Sequence, residues 1–248
     1  MHKQGLTALL ALTLAGALAT SAASADETLP VPEIERIVRE YLLREPEVIY
    51  QAIQELQKKQ RAEEAARQQA AVVSNRDEIF GHGEDPVAGA PDGKATLVEF
   101  FDYHCGYCRS MSADLQKLIK GHKDLRFVFK ELPVLGPDSL MAAKAALAAN
   151  RLDPRRYPDF HFALMQSREL SREAVLKVAA EQGYDEAALA REMEAGWVAA
   201  HIEATRSLAE KLGINGTPSF VIGDTLIPGA VEVSELARRI NAELEQAN

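Results

Sequence analysis

The two cysteines of the chain, Cys105 and Cys108, stand three positions apart in Phe101-Asp-Tyr-His-Cys-Gly-Tyr-Cys108. Before them runs Thr96-Leu-Val-Glu-Phe-Phe101, apolar enough for a strand buried on both faces. After them Met111, Leu115 and Leu118 recur at the spacing of one helical face. A bridge between positions three apart closes almost no loop and adds little stability by constraining the unfolded chain. The pair is therefore read as chemistry. Between a strand and a helix, the first sulfur sits at the helix N-terminus, where unpaired N–H groups and the dipole favour an anion. Cys105 is expected to form the attacking thiolate there, and Cys108, one turn further on the same face, to resolve the mixed disulfide. The other common use of such a pair, half of a zinc site, needs a second pair of ligands. His82, His104, His122, His161 and His201 are scattered without ligand spacing, so no metal is expected here.

The rest of the sequence fits an exported protein. Lys3, the apolar run Leu6 to Ala19 and the small residues Ala23-Ser24-Ala25 have the three-part layout of a secretion signal, with cleavage expected near Ala25. Residues 26–248 then hold 27 basic and 37 acidic residues, a net charge of −10. That surface argues against nucleic acid or anionic lipid as a partner. No later apolar stretch approaches the roughly 18 residues of a membrane span, so no insertion of the mature chain is expected.

Residues 26–74 read as a separate helical segment. Ile34, Ile37, Val38, Tyr41 and Leu42 mark one helix, and Ile49, Ala52, Ile53 and Leu56 a second that begins near Pro46. From Gln57 to Ala70 only alanines interrupt charged and amide residues, as on an exposed helix. Two such helices cannot bury their stripe alone and must pack on the main domain or on copies of themselves; oligomerisation through this segment is expected, with docking onto the catalytic domain as the alternative. Residues 75–248 read as an α/β domain. Gly81 to Asp92 is a loop or short hairpin, Leu125 to Leu132 a second buried strand, and about 138–212 a run of helices with a break near Gly196. Ser219 to Ile222 and Thr225 to Ile227 form a hairpin around Gly223-Asp224, and Val233 to Leu244 a closing helix. Pro218, just before that hairpin, suits a cis bond after Thr217 that leaves a backbone edge open.

The run Leu97 to Cys108, the helical insertion and Gly216-Thr-Pro218 together resemble the DsbA-like branch of the thioredoxin superfamily over about residues 85–248. The resemblance implies a thioredoxin fold with a helical insertion and the chemistry of protein thiol–disulfide exchange. Cys105 would be nucleophile, Cys108 resolver, and the redox-active Cys105–Cys108 disulfide the only cofactor. Thr217 and Pro218 would face the cysteines and pair with substrate, with His104, Gly106 and Tyr107 lining the approach. Glu99, a lone acid in an apolar strand, would move a proton for Cys108, with Lys130 as its partner and Arg126 as an alternative. Gly106-Tyr107 is similar to the dipeptide of DsbC-type isomerases rather than to the Pro-His of DsbA. The segment Glu45-Pro-Glu-Val-Ile-Tyr-Gln-Ala-Ile53 resembles the stalk of the suppressor-of-copper-sensitivity protein C (ScsC)/Com1-like group. That likeness implies a periplasmic homotrimer acting as disulfide isomerase or reductase on misfolded or disulfide-containing exported proteins. A membrane thiol reductase of the DsbD/ScsB type would keep it reduced. A DsbA-type oxidase is the alternative activity, and a copper-binding protein using the same thiolates is the alternative from another class.

Overall fold

The computed structural model describes residues 30–81 and 83–246. The expected secretion signal at residues 1–25 and His82 lie outside the described residues. The chain divides into two compact units after Gln57, inside the second helix and earlier than the 74/75 boundary expected from composition. In the first unit, helix α1 (Val31–Arg44) starts beside Pro30 with Glu33 in its first turn and ends with Arg44 in its last, so both charges suit the helix dipole. Helix α2 (Glu47–Ser74) begins immediately after Pro46 and runs 28 residues without a break. No residue of α1 is buried. Its stripe residues Ile34, Ile37, Val38 and Tyr41, with Ile49, Ile53 and Leu56 of α2, are 42–55% exposed.

The second unit is built on a five-stranded sheet with order β1-β3-β2-β4-β5. Its strands are β1 (Val87–Gly89), β2 (Ala95–Phe101), β3 (Leu125–Glu131), β4 (Ser219–Ile222) and β5 (Thr225–Pro228). Strands β2 and β3 run parallel, because helix α4 (Gly106–Gly121) carries the chain back between them. The other neighbours are antiparallel. Between β3 and β4 lie α5 (Pro137–Leu152), α6 (Tyr157–Gln166), α7 (Arg172–Glu181), α8 (Glu186–Glu192) and α9 (Gly196–Lys211). The expected break therefore falls just before Gly196. Helix α10 (Val233–Gln246) closes the fold. Two features differ from expectation. The Gly/Pro-rich stretch holds an edge strand, β1, paired with β3, and a short helix, α3 (Arg76–Phe80), precedes it. Both are too short for a periodic signal, and pairing with β3 is what fixes β1.

The central strands are buried on both faces, as their unbroken apolar runs require. Leu97, Phe101, Phe127 and Phe129 face α4, α10 and the helical insertion. Val98, Phe100 and Val128 face the other way, toward Val72, Ile79, Leu208 and Leu212. Val72 is near the C-terminal end of α2, so that end is held in the core of the second unit.

Candidate active site

Strand β2 ends at Phe101, and the turn Asp102-Tyr-His-Cys105 delivers the chain to α4. Cys105 is the N-cap residue of that helix, with extended backbone dihedrals (φ −71°, ψ 118°). Its thiol donates to the Thr217 carbonyl oxygen at 3.2 Å. The Thr217–Pro218 bond is cis, as expected, and it precedes β4, the direct neighbour of β2 in the sheet. Both cysteines are free thiols here, Cys105 at 6% exposure and Cys108, one turn inward, at 1%. His104, Gly106 and Tyr107 surround Cys105 at the surface, with Tyr107 69% exposed. The sequence-predicted residues Cys105, Cys108, His104, Gly106, Tyr107, Thr217 and Pro218 thus come together at one end of the sheet.

Glu99 lies on the same sheet face as Leu97 and Phe101, the face covered by α4. It is buried, and its Oε1 has no hydrogen-bond partner among the described residues. Burial raises its pKa to about 8, with the nearby Cys105 charge adding to the effect. Burial also pushes the Cys108 thiol far up, and the Glu99 charge pushes it further. The Glu99 charge thus disfavours ionisation of Cys108.

Lys130 is not the partner of Glu99. In the parallel register Glu99 stands opposite Phe129, and Lys130 opposite Phe100, so the two side chains leave the sheet on opposite faces. Lys130 instead reaches Asp85 Oδ2 at 2.5 Å and donates to the Glu78 carbonyl oxygen at 2.6 Å. His201 Nε2 lies 3.1 Å from Asp85 Oδ1. Arg126, the alternative, donates to the Phe80 carbonyl oxygen at 2.9 Å and serves Glu99 no better. Adjacent strands put residues of equal register on one face, and the expected pairing was one position out.

Two buried polar groups that the sequence did not single out hold the cysteine turn. Asp102 Oδ1 accepts from His104 N and Ser139 Oγ, both at 2.7 Å, and its Oδ2 accepts from Val134 N at 2.8 Å and Leu135 N at 2.9 Å. Tyr103 Oη lies 3.0 Å from His161 Nδ1 and 3.2 Å from Glu131 Oε1, and Tyr157 Oη donates to the same Glu131 oxygen at 3.3 Å. Burial raises Glu131 well above the carboxylate range despite these hydroxyls, and lowers His161 to about 3. The sequence signal for both was a polar residue at the edge of an apolar strand: Asp102 directly after β2 and Glu131 at the end of β3. Among the described residues, no group of three or more His, Cys, Asp or Glu could hold a metal ion.

A family model described as thioredoxin matches residues 82–242. The chain belongs to the thioredoxin family. Residues 32–63 match the model of the copper resistance protein ScsC N-terminal domain, which assigns the chain to the DsbA-like, ScsC-type members of that family. A thioredoxin-like oxidoreductase from Silicibacter pomeroyi is 46% identical, covering 69% of this chain and 98% of its own, with a TM-score of 0.65. ScsC of Proteus mirabilis in a compact conformation is 31% identical, covering 88% of this chain and 99% of its own, again with a TM-score of 0.65. Disulfide bond formation protein D of Bacillus subtilis is 27% identical over 190 residues, 70% of this chain and 82% of the relative. The chain spans a quarter of the length of another relative, the Na(+)/H(+) antiporter NhaA of Herminiimonas arsenicoxydans, 29% identical over 163 residues and 65% of this chain. No helix among the described residues is long and apolar enough to cross a membrane. The thioredoxin-family chain is a thiol–disulfide oxidoreductase.

Proposed function

We propose that the protein exchanges disulfides with exported proteins in the periplasm, as an isomerase or reductase in which Cys105 is the nucleophile. The observation that supports this most is the meeting of Cys105 Sγ, at a helix N-terminus, with the Thr217 carbonyl at 3.2 Å. An open backbone group beside the reacting sulfur can pair with an extended substrate strand. The Cys105 thiolate attacks one sulfur of a substrate disulfide, the S–S bond breaks, and the leaving substrate thiolate takes a proton. A second substrate thiol can then attack the mixed disulfide, which reshuffles the substrate with no net oxidation. Otherwise Cys108 attacks Cys105 Sγ, releasing the substrate reduced by two electrons and leaving the Cys105–Cys108 disulfide. A membrane thiol reductase of the DsbD/ScsB type would return those electrons. Glu99 takes the Cys108 proton during that second attack and later gives it back.

Isomerisation rather than oxidation is supported by Gly106-Tyr107 and by the N-terminal helices. Residues 32–63 carry the ScsC N-terminal match, and their exposed stripe would bury by self-association, each side chain contributing about 1.5–3 kcal/mol. A closed homotrimer and a link to copper tolerance belong to the same reading. The test is reactivation of a scrambled multi-disulfide protein, beside insulin reduction, by a preparation whose sedimentation is measured. An oligomer that reactivates the scrambled protein is the expected result, with Cys108→Ala trapping mixed disulfides and Cys105→Ala trapping none. A monomer that only introduces disulfides into reduced substrates would assign it as a DsbA-type oxidase instead.

A further inference from the structure

A trough of about 480 Å³ is lined by Thr217, whose carbonyl meets Cys105. Tyr107, Asn215, Gly216, Gly229 and Gln68 of α2 line it with Thr217. None of its lining residues is charged, although the chain is strongly acidic. Its glycines leave bare backbone: a Cβ placed on Gly216 or Gly229 would meet nothing within 4 Å. Bare backbone beside open space admits the close approach of another main chain. Gln68 is half-buried, and its carboxamide offers two donors and an acceptor, the complement of a peptide group.

We propose that Gln68 is a specificity-determining residue, whose carboxamide contacts the extended peptide segment next to the cysteine under attack. This deepens the functional reading given above and rests on it. The occupant is a disulfide-bearing peptide in extended form. Its class follows from the trough: an uncharged lining rich in glycine selects for main-chain shape and is indifferent to flanking charge. Helix α2, whose first part carries the ScsC-type match, thereby contributes a residue to substrate choice.

The test places a charge in the trough and asks whether the substrate notices. Gln68→Glu and Gln68→Lys keep the helix propensity of glutamine. Two peptides are used, differing only in a Glu or Lys beside a cysteine held as a mixed disulfide with glutathione, and the rate of transfer to the full chain is measured. The ratio of Lys-peptide to Glu-peptide rates should rise about fivefold in Gln68→Glu and fall about fivefold in Gln68→Lys, relative to wild type, as for a partly exposed ion pair. Both shifts should shrink in high salt. Gln60→Glu, about two turns away on α2 and exposed, adds the same charge outside the trough and should leave the ratio at its wild-type value. If both Gln68 variants keep the wild-type ratio while peptides still exchange, the assignment of Gln68 is wrong and the functional reading stands. If the wild type exchanges with neither peptide, the functional reading fails and takes the assignment with it.

Discussion

The two faces of the central sheet each bury an acid, and they treat it in opposite ways. On one face Asp85 meets Lys130 and His201, so its charge is answered inside the core. On the other, among the described residues, Glu99 meets no basic side chain, stands near two thiols and has one oxygen unpaired. A buried charge that is paired holds a structure together, and removing one member leaves the other stranded at considerable cost. A buried acid left alone prefers to be neutral and can trade a proton with a neighbour. The contrast teaches that the charges closest in sequence register, Glu99 and Lys130, serve separate ends because a strand sends them to opposite sides.

The largest effect should come from the paired face. Lys130→Met strands Asp85 and should destabilise the fold by about 3–5 kcal/mol in denaturant unfolding, while the folded fraction keeps its exchange rate. A loss of exchange without a loss of stability would move Lys130 back to the cysteines. The opposite sign is expected for Glu99→Gln. The acid has a folded pKa of about 8 against an ordinary value of 4.5, so the folded state binds a proton that the unfolded chain releases between those values. Its presence therefore costs stability as pH rises from 4.5 to 8, at about 1.4 kcal/mol per unit. Glu99→Gln should accordingly be about 4 kcal/mol more stable than wild type at pH 8, and closely matched to it near pH 4. The smallest effect belongs to the cysteine turn: Ser139→Ala removes one of four hydrogen bonds to Asp102 and should cost about 1 kcal/mol.

How much of this could be read from the sequence follows from what a local pattern encodes. Strands β2 and β3 announce themselves as apolar runs, α4 as a stripe behind the cysteines, and the helical insertion as a long stretch without strand signal. The Cys105–Cys108 pair and Pro218 were legible because residue type and spacing carry their meaning directly. What the sequence hid was set by register and distance. Asp85 and Lys130 are far apart along the chain, and only the pairing of β1 with β3 brings the loop of Asp85 over the sheet. Ser139 meets Asp102 through the start of α5, and Gln68 joins the trough only because α2 ends in the core through Val72. The stripe of α1 was legible as apolar, and its residues are exposed in the single chain.

The most direct test of the division between the two faces is the pH dependence of the step in which Cys108 resolves the mixed disulfide. It can be followed by stopped-flow release of a reporter thiol from Cys105, from pH 6 to 10. In the wild type the rate should rise and level through an inflection near pH 8, as Glu99 becomes the carboxylate that accepts the Cys108 proton. Glu99→Gln should lose that inflection and run about 100-fold slower at pH 8, whereas Lys130→Met should keep the wild-type profile. A Glu99→Gln enzyme with the wild-type rate and inflection, beside a Lys130→Met enzyme that has lost both, would contradict the account.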